Sequence, residues 1–219
     1  MRARAVFERL AEQRGVPDWT GCRGDPLAEL VATILSQHTS DLNSERAFAA
    51  LVARFPTWQE VLDADPSALA DAIRSGGLAE VKARRIQAVL AAIQADRGEL
   101  DLEFLRAAPT DEARRYLEEL PGVGPKTAAC VLVFALEQPA VPVDTHVYRV
   151  ARRLGLIPVS MGADGAHAAL DQQVPPRLRY AFHVLLIQHG REICRAQRPL
   201  CERCPLLDVC PRIGVASTQ

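Results

Sequence analysis

Four cysteines near the C-terminus share a compact spacing that suits metal binding. Cys194, Cys201, Cys204 and Cys210 form the pattern C-x6-C-x2-C-x5-C. Four thiolates in so short a segment can hold a [4Fe–4S] cluster or a zinc ion. Zinc sites favour paired C-x2-C hooks, whereas here one hook lies between two longer loops. The spacing therefore favours the cluster, with zinc as the alternative.

A glycine-rich segment at residues 120–128 has the sequence L-P-G-V-G-P-K-T-A. Helical patterns precede and follow it. Gly122 and Gly124 allow backbone conformations that other residues avoid, and Pro125 suits the first turn of the next helix. Backbone amides in such a hairpin, with the positive end of a helix, bind a phosphate oxygen well. The segment predicts a sequence-independent grip on a DNA backbone, with a plain interhelical turn as the alternative.

Lysine usage draws attention to one residue of this hairpin. The chain has 26 lysines and arginines together, and only Lys82 and Lys126 are lysines. An arginine cannot act as an amine nucleophile because its guanidinium stays protonated. Lys126 lies in the first turn of a predicted helix, where the helix dipole and partial burial favour a neutral amine able to attack a sugar C1′. The alternative role is a lysine that binds phosphate.

A carboxylate follows eighteen residues later, in the sequence V-D-T-H-V. Asp144 precedes a helical pattern, so it is a natural N-cap residue. It could also steer proton transfer and stabilise an oxocarbenium-like sugar. One residue can serve both purposes.

The pattern of the whole chain predicts an all-α protein. Apolar residues recur at helical spacing, strand-like alternation is scarce, and Pro and Gly separate about ten short helices. Asp25-Pro26 and Asp65-Pro66 match an N-cap followed by proline at the first helical position. With 48% hydrophobic residues, no membrane-length apolar run and no signal peptide, we expect a cytoplasmic protein. We also expect it to be a monomer.

The charge distribution adds a modest indication of a polyanionic partner. The formal net charge is −1, but residues 140–219 contain ten arginines and six acidic residues. The basic excess therefore lies in the part of the chain that contains the cysteines. Ordinary fluctuation of charge along the sequence is an equally good explanation.

Together these features resemble the endonuclease III family of DNA glycosylases, in the helix-hairpin-helix superfamily. The resemblance spans nearly the whole chain and rests on the hairpin, the V-D-T-H sequence, the motif Leu35-Ser36-Gln37 and the cysteine loop. It implies two helical domains flanking a DNA-binding cleft. One is a six-helix barrel at residues 20–138, and the other joins residues 1–19 to 139–219 and contains a [4Fe–4S] cluster.

The resemblance also implies a function and roles for individual residues. The family flips a damaged pyrimidine out of duplex DNA, forms a Schiff base through the residue matching Lys126, and cleaves the strand by β-elimination. Asp144 matches the essential carboxylate, and Ser36, Glu118 and His146 match positions beside the base pocket. The partner implied is double-stranded DNA with damaged bases or abasic sites. The residues implied to bind it are Gly122, Val123, Gly124, Lys126, Thr127, Gln37, His38, Leu78, Lys82 and Arg198.

One departure from the family pattern leaves the substrate open. Where a typical member has S-A-Q-A-T-D, this chain has S-Q-H-T-S-D, so His38 takes the position of the glutamine that fills the gap left by the flipped base. Gln37 is the alternative filler. The departure keeps open a weakly active or non-catalytic DNA-binding homologue, or a glycosylase for another base. A small redox protein would explain only the cysteines.

Overall fold

The computed structural model describes residues 3–19 and 24–215, and within them all regular structure is helical. The all-α prediction is confirmed. None of these helices is both long and apolar enough to span a bilayer. The α-helices are α1 (Ala3–Arg14), α2 (Pro26–Ser36), α3 (Asp41–Arg54), α4 (Trp58–Asp63), α5 (Pro66–Ala72), α6 (Ala79–Arg97), α7 (Thr110–Glu119), α8 (Pro125–Phe134), α9 (Thr145–Arg153), α10 (Ala163–Gln173) and α11 (Arg179–Glu192).

The chain divides into two compact units. The central unit is Cys22–Gln138, and the terminal unit combines Met1–Gly21 with Pro139–Gln219. Short 3-10 helices at Arg74–Gly76 and Glu103–Arg106 belong to the central unit, and those at Pro176–Leu178 and Cys201–Arg203 belong to the terminal unit.

Helix α2 lies at the centre of the central unit and packs against α3, α6 and α8. Its sequence is apolar on nearly every face, which is typical of a helix that neighbours cover all round. The predicted cap is present: the Asp25 carboxylate accepts a hydrogen bond from the amide of Leu27 at 2.8 Å, and Pro26 occupies the first turn. Such a cap stabilises the helix by about 1 kcal/mol.

The core of the terminal unit forms where α11 packs against α1 and α9 and where α1 meets α10. Phe182 and Leu186 of α11 are completely buried among apolar residues of these helices. Cys194, Cys204 and Cys210 pack against the same core, so the cysteine loop rests on its apolar surface.

Candidate functional site

The predicted hairpin joins α7 to α8, but only one of its glycines needs to be glycine. Gly122 has φ of 73°, and a Cβ atom there would lie 2.7 Å from Nε of Arg85. Gly124 is instead the N-cap residue of α8 with φ of −101°, and a Cβ there would meet nothing within 4 Å. Gly124 therefore does not use the conformational freedom that glycine allows. The amide of Val123 closes the turn by donating to the carbonyl of Leu120 at 3.1 Å.

Lys126 occupies the second position of α8, directly after Pro125. Its side chain is half-buried, and within the described residues its ammonium has no hydrogen-bond or ion-pair partner. The helix dipole disfavours a positive charge at this end of α8. The geometry therefore leaves the amine available to a substrate.

A carboxylate that the sequence analysis missed interacts with this amine. Glu29 of α2 is half-buried, and its Oε1 accepts a hydrogen bond from the Thr33 hydroxyl at 3.0 Å. Burial raises the pKa of Glu29, while the Thr33 hydrogen bond and then the positive charge of Lys126 act in the opposite direction. The signal in the sequence was a single acidic residue inside an otherwise apolar helix.

The turn after α2 contains Gln37 and His38, the two candidates for filling the gap that a flipped base leaves in DNA, and their side chains differ in freedom. Gln37 is fixed at both ends of its amide: Oε1 accepts from Nη1 of Arg85 at 2.6 Å, and Nε2 donates to Oγ1 of Thr127 at 3.4 Å. His38 is exposed and adopts a left-handed backbone with φ of 55°. His38, rather than Gln37, is therefore the free side chain of this turn.

The loop before α6 presents Leu78 to solvent. Leu78 has a left-handed φ of 48° and is 55% exposed, which is unusual for a large apolar residue. Lys82 was predicted to bind DNA, but it is only 2% exposed. Its ammonium donates to the carbonyls of Leu35 and Gly76 at 2.7 Å each, and burial lowers its pKa. In this structure Lys82 fixes the loop that carries Leu78 instead of offering its charge to solvent.

In the terminal unit, Asp144 is the N-cap residue of α9. Its Oδ1 accepts a hydrogen bond from the amide of Val147 at 2.7 Å, and the side chain is half-buried. Two residues further along, Nδ1 of His146 lies 3.1 Å from Nη2 of Arg149. Because arginine can only donate, this nitrogen accepts and the proton of a neutral His146 lies on Nε2. The cap predicted from the sequence is thus present, and a second carboxylate oxygen remains for other partners.

The two other residues predicted to lie beside a base pocket belong to the central unit. Ser36 ends α2, is half-buried, and donates its hydroxyl to the carbonyl of Thr33 at 2.8 Å. Glu118 lies in the last turn of α7 and is exposed. Their role as pocket residues stays a prediction.

All four cysteines line a single cavity in the terminal unit, together with apolar residues such as Val150, Leu154 and Ile193. In the described part of the chain, no three Cys, His, Asp or Glu side chains converge closely enough to hold one metal ion. A multi-iron cluster held by four thiolates needs four cysteines around one cavity, and this cavity provides them. Arg198 lies on the loop between the first two cysteines, is exposed, and has φ of 49°.

Burial affects the protonation of the cysteines and of one histidine at this cavity. Burial raises the pKa of the Cys204 thiol to about 11 and raises that of Cys210, so iron must displace protons that these sulfurs otherwise keep. His189 has its pKa lowered to about 4 by burial and is neutral near pH 7. Its Nδ1 is buried with no partner among the described residues, while Nε2 lies 3.6 Å from Sγ of Cys204. Assigning the proton to Nε2 makes His189 a donor to this sulfur.

Two arginines of α9 hold the cysteine loop, and the sequence analysis did not identify them. Arg149 donates to the carbonyls of Gly190 at 2.8 Å and Cys194 at 3.0 Å. Arg153 donates to the carbonyls of Arg195 at 2.6 Å and Ala196 at 2.9 Å, and its Nη1 lies 3.4 Å from Sγ of Cys194. The helix capped by Asp144 therefore also anchors the cysteine loop.

Left-handed backbone conformations concentrate at residues predicted to bind DNA. The non-glycine residues with positive φ in the described part of the chain are His38, Leu78, Glu137, Arg198 and Arg212. Such conformations cost about 1 to 3 kcal/mol each and persist where the surrounding structure imposes them, often at functional sites. Three of these five residues are ones for which DNA contact was predicted.

Comparison with known proteins agrees with these observations. Residues 31–176 match the HhH-GPD superfamily of base excision DNA repair proteins, and residues 194–210 match the iron–sulfur binding domain of endonuclease III. A protein of Arabidopsis thaliana named as a DNA glycosylase is 40% identical over 86% of this chain, which spans 61% of that protein's length. Endonuclease III of Thermotoga maritima is 36% identical over 85% of this chain and 83% of its own length.

A solved structure extends the comparison to three dimensions. The protein in a non-covalent endonuclease III–DNA complex is 31% identical and superimposes with a TM-score of 0.80, over 95% of this chain and 94% of that one. The similarity therefore includes both the hairpin and the cysteine loop.

Proposed function

Because the chain belongs to the endonuclease III family, within the HhH-GPD superfamily of base excision DNA repair proteins, we propose that it removes oxidised pyrimidines from duplex DNA and then cleaves the strand at the abasic site. Membership makes it a DNA-binding glycosylase with a [4Fe–4S] cluster. We assign the ligands of this cluster to Cys194, Cys201, Cys204 and Cys210, which line one cavity. The substrate class, the lyase step and the residue roles are the proposal.

The position of Lys126 is the observation that supports the lyase step most strongly. Its amine lies at the N-terminus of α8, beside the hairpin, and has no hydrogen-bond or ion-pair partner among the described residues. A lysine with a structural role would be expected to hydrogen-bond within the protein, as Lys82 does when it donates to two carbonyls. Lys126 instead has the access that a nucleophile requires.

The proposed reaction proceeds through Lys126 Nζ. The lone pair of the neutral amine attacks C1′, and the bond from C1′ to the damaged base breaks, its electron pair leaving with the base, which takes up a proton. Opening of the sugar ring gives the imine. Loss of a proton from C2′ then expels the 3′ phosphate by β-elimination, and water releases the lysine. Asp144 stabilises the positive charge that develops on the sugar and steers proton transfer.

In this proposal the protein binds the phosphates of DNA, and two of its side chains replace the base stacking that is lost when the damaged base leaves the duplex. The amides of Gly122, Val123 and Gly124 bind phosphate, and Arg198 adds a charge from the cysteine loop. Leu78 enters the duplex as an apolar wedge, and His38 fills the gap that the flipped base leaves. The exposure of both side chains, each on a strained backbone, supports these roles.

Borohydride trapping on two duplexes tests the proposal. One duplex contains an abasic site and the other thymine glycol, and we expect a covalent adduct on both. An adduct only on the abasic duplex would retain the lyase and require a different damaged base. With DNA binding intact, no adduct on either duplex would contradict the lyase and favour a non-catalytic homologue.

Arg153 gives a separate prediction about the cofactor. Arg153→Gln should lose cluster absorbance at about 400 nm roughly tenfold faster than wild type in air, because it removes hydrogen bonds to the loop and to Cys194 Sγ. Arg152→Gln is the matched control, since it removes the same charge from the neighbouring position. Equal rates of loss in the two variants would contradict a specific role for Arg153.

A further inference from the structure

Arg85 of α6 lies directly on the hairpin. A Cβ atom at Gly122 would be 2.7 Å from Nε of Arg85, 3.1 Å from Cδ and 3.4 Å from Cγ. The side chain therefore covers the α-carbon of Gly122, next to the amides that the proposed function assigns to phosphate. No part of the helix-hairpin-helix sequence contains this arginine, so the motif alone could not indicate it.

The orientation of the Arg85 side chain is fixed. Its Nη1 donates to Oε1 of Gln37 at 2.6 Å, and the same amide donates to the Thr127 hydroxyl of α8 at 3.4 Å. A planar guanidinium fixed on one edge loses little further entropy when its remaining N–H groups bind a ligand. Arg85 is thus prepared for one more partner in a defined direction.

The charge of Arg85 is not neutralised within the described part of the chain. There it takes part in no ion pair, and Gln37 is its one hydrogen-bond partner. Other half-buried arginines are more fully used: Arg106 donates to Glu103 and to two backbone carbonyls, and Arg179 donates to three carbonyls. Arg85 therefore differs from the arginines whose role is to hold loops.

We propose that Arg85 is a phosphate-binding residue of the DNA interface, which supplements the hairpin amides with a fixed positive charge. The inference rests on the proposed function, because it assumes that a DNA strand reaches the hairpin. A guanidinium donates to phosphate oxygens with good geometry and without regard to base sequence. Through Gln37, the same side chain fixes the turn that presents His38.

DNA affinity as a function of salt concentration tests this role. The probe is a duplex that contains a tetrahydrofuran abasic analogue, which the enzyme cannot cleave, and binding is followed by fluorescence anisotropy. Arg85→Gln should bind about tenfold more weakly at moderate salt. Its slope of log K against log salt should be shallower by about 0.9, the value for one lost phosphate contact.

The neighbouring arginine provides the matched control. Arg84 is exposed on the same helix and has no hydrogen bond or ion pair among the described residues, so Arg84→Gln makes the same change in net charge. It should stay within about twofold of wild type. Arg85→Lys keeps the charge and should keep the wild-type slope with reduced affinity. Thermal unfolding and cluster absorbance verify that each variant is folded.

The outcomes separate this proposal from the function on which it rests. Equal behaviour of Arg84→Gln and Arg85→Gln would overturn the assignment, as would weaker binding with an unchanged salt slope, which indicates a purely structural role. Absence of DNA binding by the wild-type protein would overturn the proposed function as well.

Discussion

Lys126→Arg should bind abasic duplex DNA yet form no borohydride adduct. Arginine retains the positive charge beside the hairpin, so contacts to phosphate are largely kept. Its guanidinium stays protonated and cannot attack C1′. Removal of an enzyme's nucleophile commonly costs on the order of 10⁴-fold or more in rate. Strand cleavage on the abasic duplex should fall accordingly.

The scarcity of lysine makes this experiment unusually clear. Lys82 and Lys126 are the two lysines of the chain, so digestion of the trapped adduct and mass spectrometry assign it directly. Lys82 serves as an internal control, because the residue is 2% exposed and its ammonium is held by two carbonyls. The adduct should map to Lys126 in wild type.

Two results would contradict the assignment. One is an adduct that persists in Lys126→Arg and maps to Lys82 or to the N-terminal amine. The other is loss of DNA binding together with loss of the adduct, which would make Lys126 a phosphate-binding lysine, the alternative considered from the sequence.

Features determined by neighbours along the chain could be predicted from the sequence. The caps at Asp25, Asp65 and Asp144 and the end of α7 at the hairpin all follow from residues within one helical turn of each other. The cysteine spacing is similarly local, which is why it indicated a cluster site. Local patterns succeed here because capping and turn geometry involve few residues.

The features that could not be predicted depend on contacts between distant segments. Arg85 reaches Gln37 across 48 positions and Arg153 reaches Ala196 across 43, and no periodicity encodes such pairs. The same limitation explains why the burial of Lys82 was not predicted, since it depends on how α6 packs against the end of α2. Gly124 shows the converse, since a glycine in a glycine-rich motif need not adopt a special conformation.

Asp144→Asn should separate the two roles of this residue, because it keeps one and removes the other. Asparagine caps helices as well as aspartate, so the hydrogen bond to the amide of Val147 should be kept. Loss of the negative charge beside the N-terminus of α9 costs about 0.3 to 1 kcal/mol. The free energy of unfolding of this variant should therefore lie within about 1 kcal/mol of wild type.

Its activity should change far more than its stability. If the carboxylate stabilises positive charge on the sugar, single-turnover base removal and adduct formation should fall on the order of 100-fold or more. Asp144→Ala also removes the cap, so its free energy of unfolding should be about 1 kcal/mol lower than that of Asp144→Asn. Its rate should be little lower than that of Asp144→Asn. Single-turnover rates and thermal unfolding of the two variants measure both quantities.

A cap-only role makes the opposite prediction, and this contrast gives the experiment its value. Asp144→Asn would then retain nearly full activity, and only Asp144→Ala would be impaired, in proportion to its lost stability. The anchoring of the cysteine loop by α9 adds a further check, since a variant that merely loosened this helix should also lose cluster absorbance. If the carboxylate is catalytic, Asp144→Asn should lose activity while it stays folded and keeps the cluster absorbance.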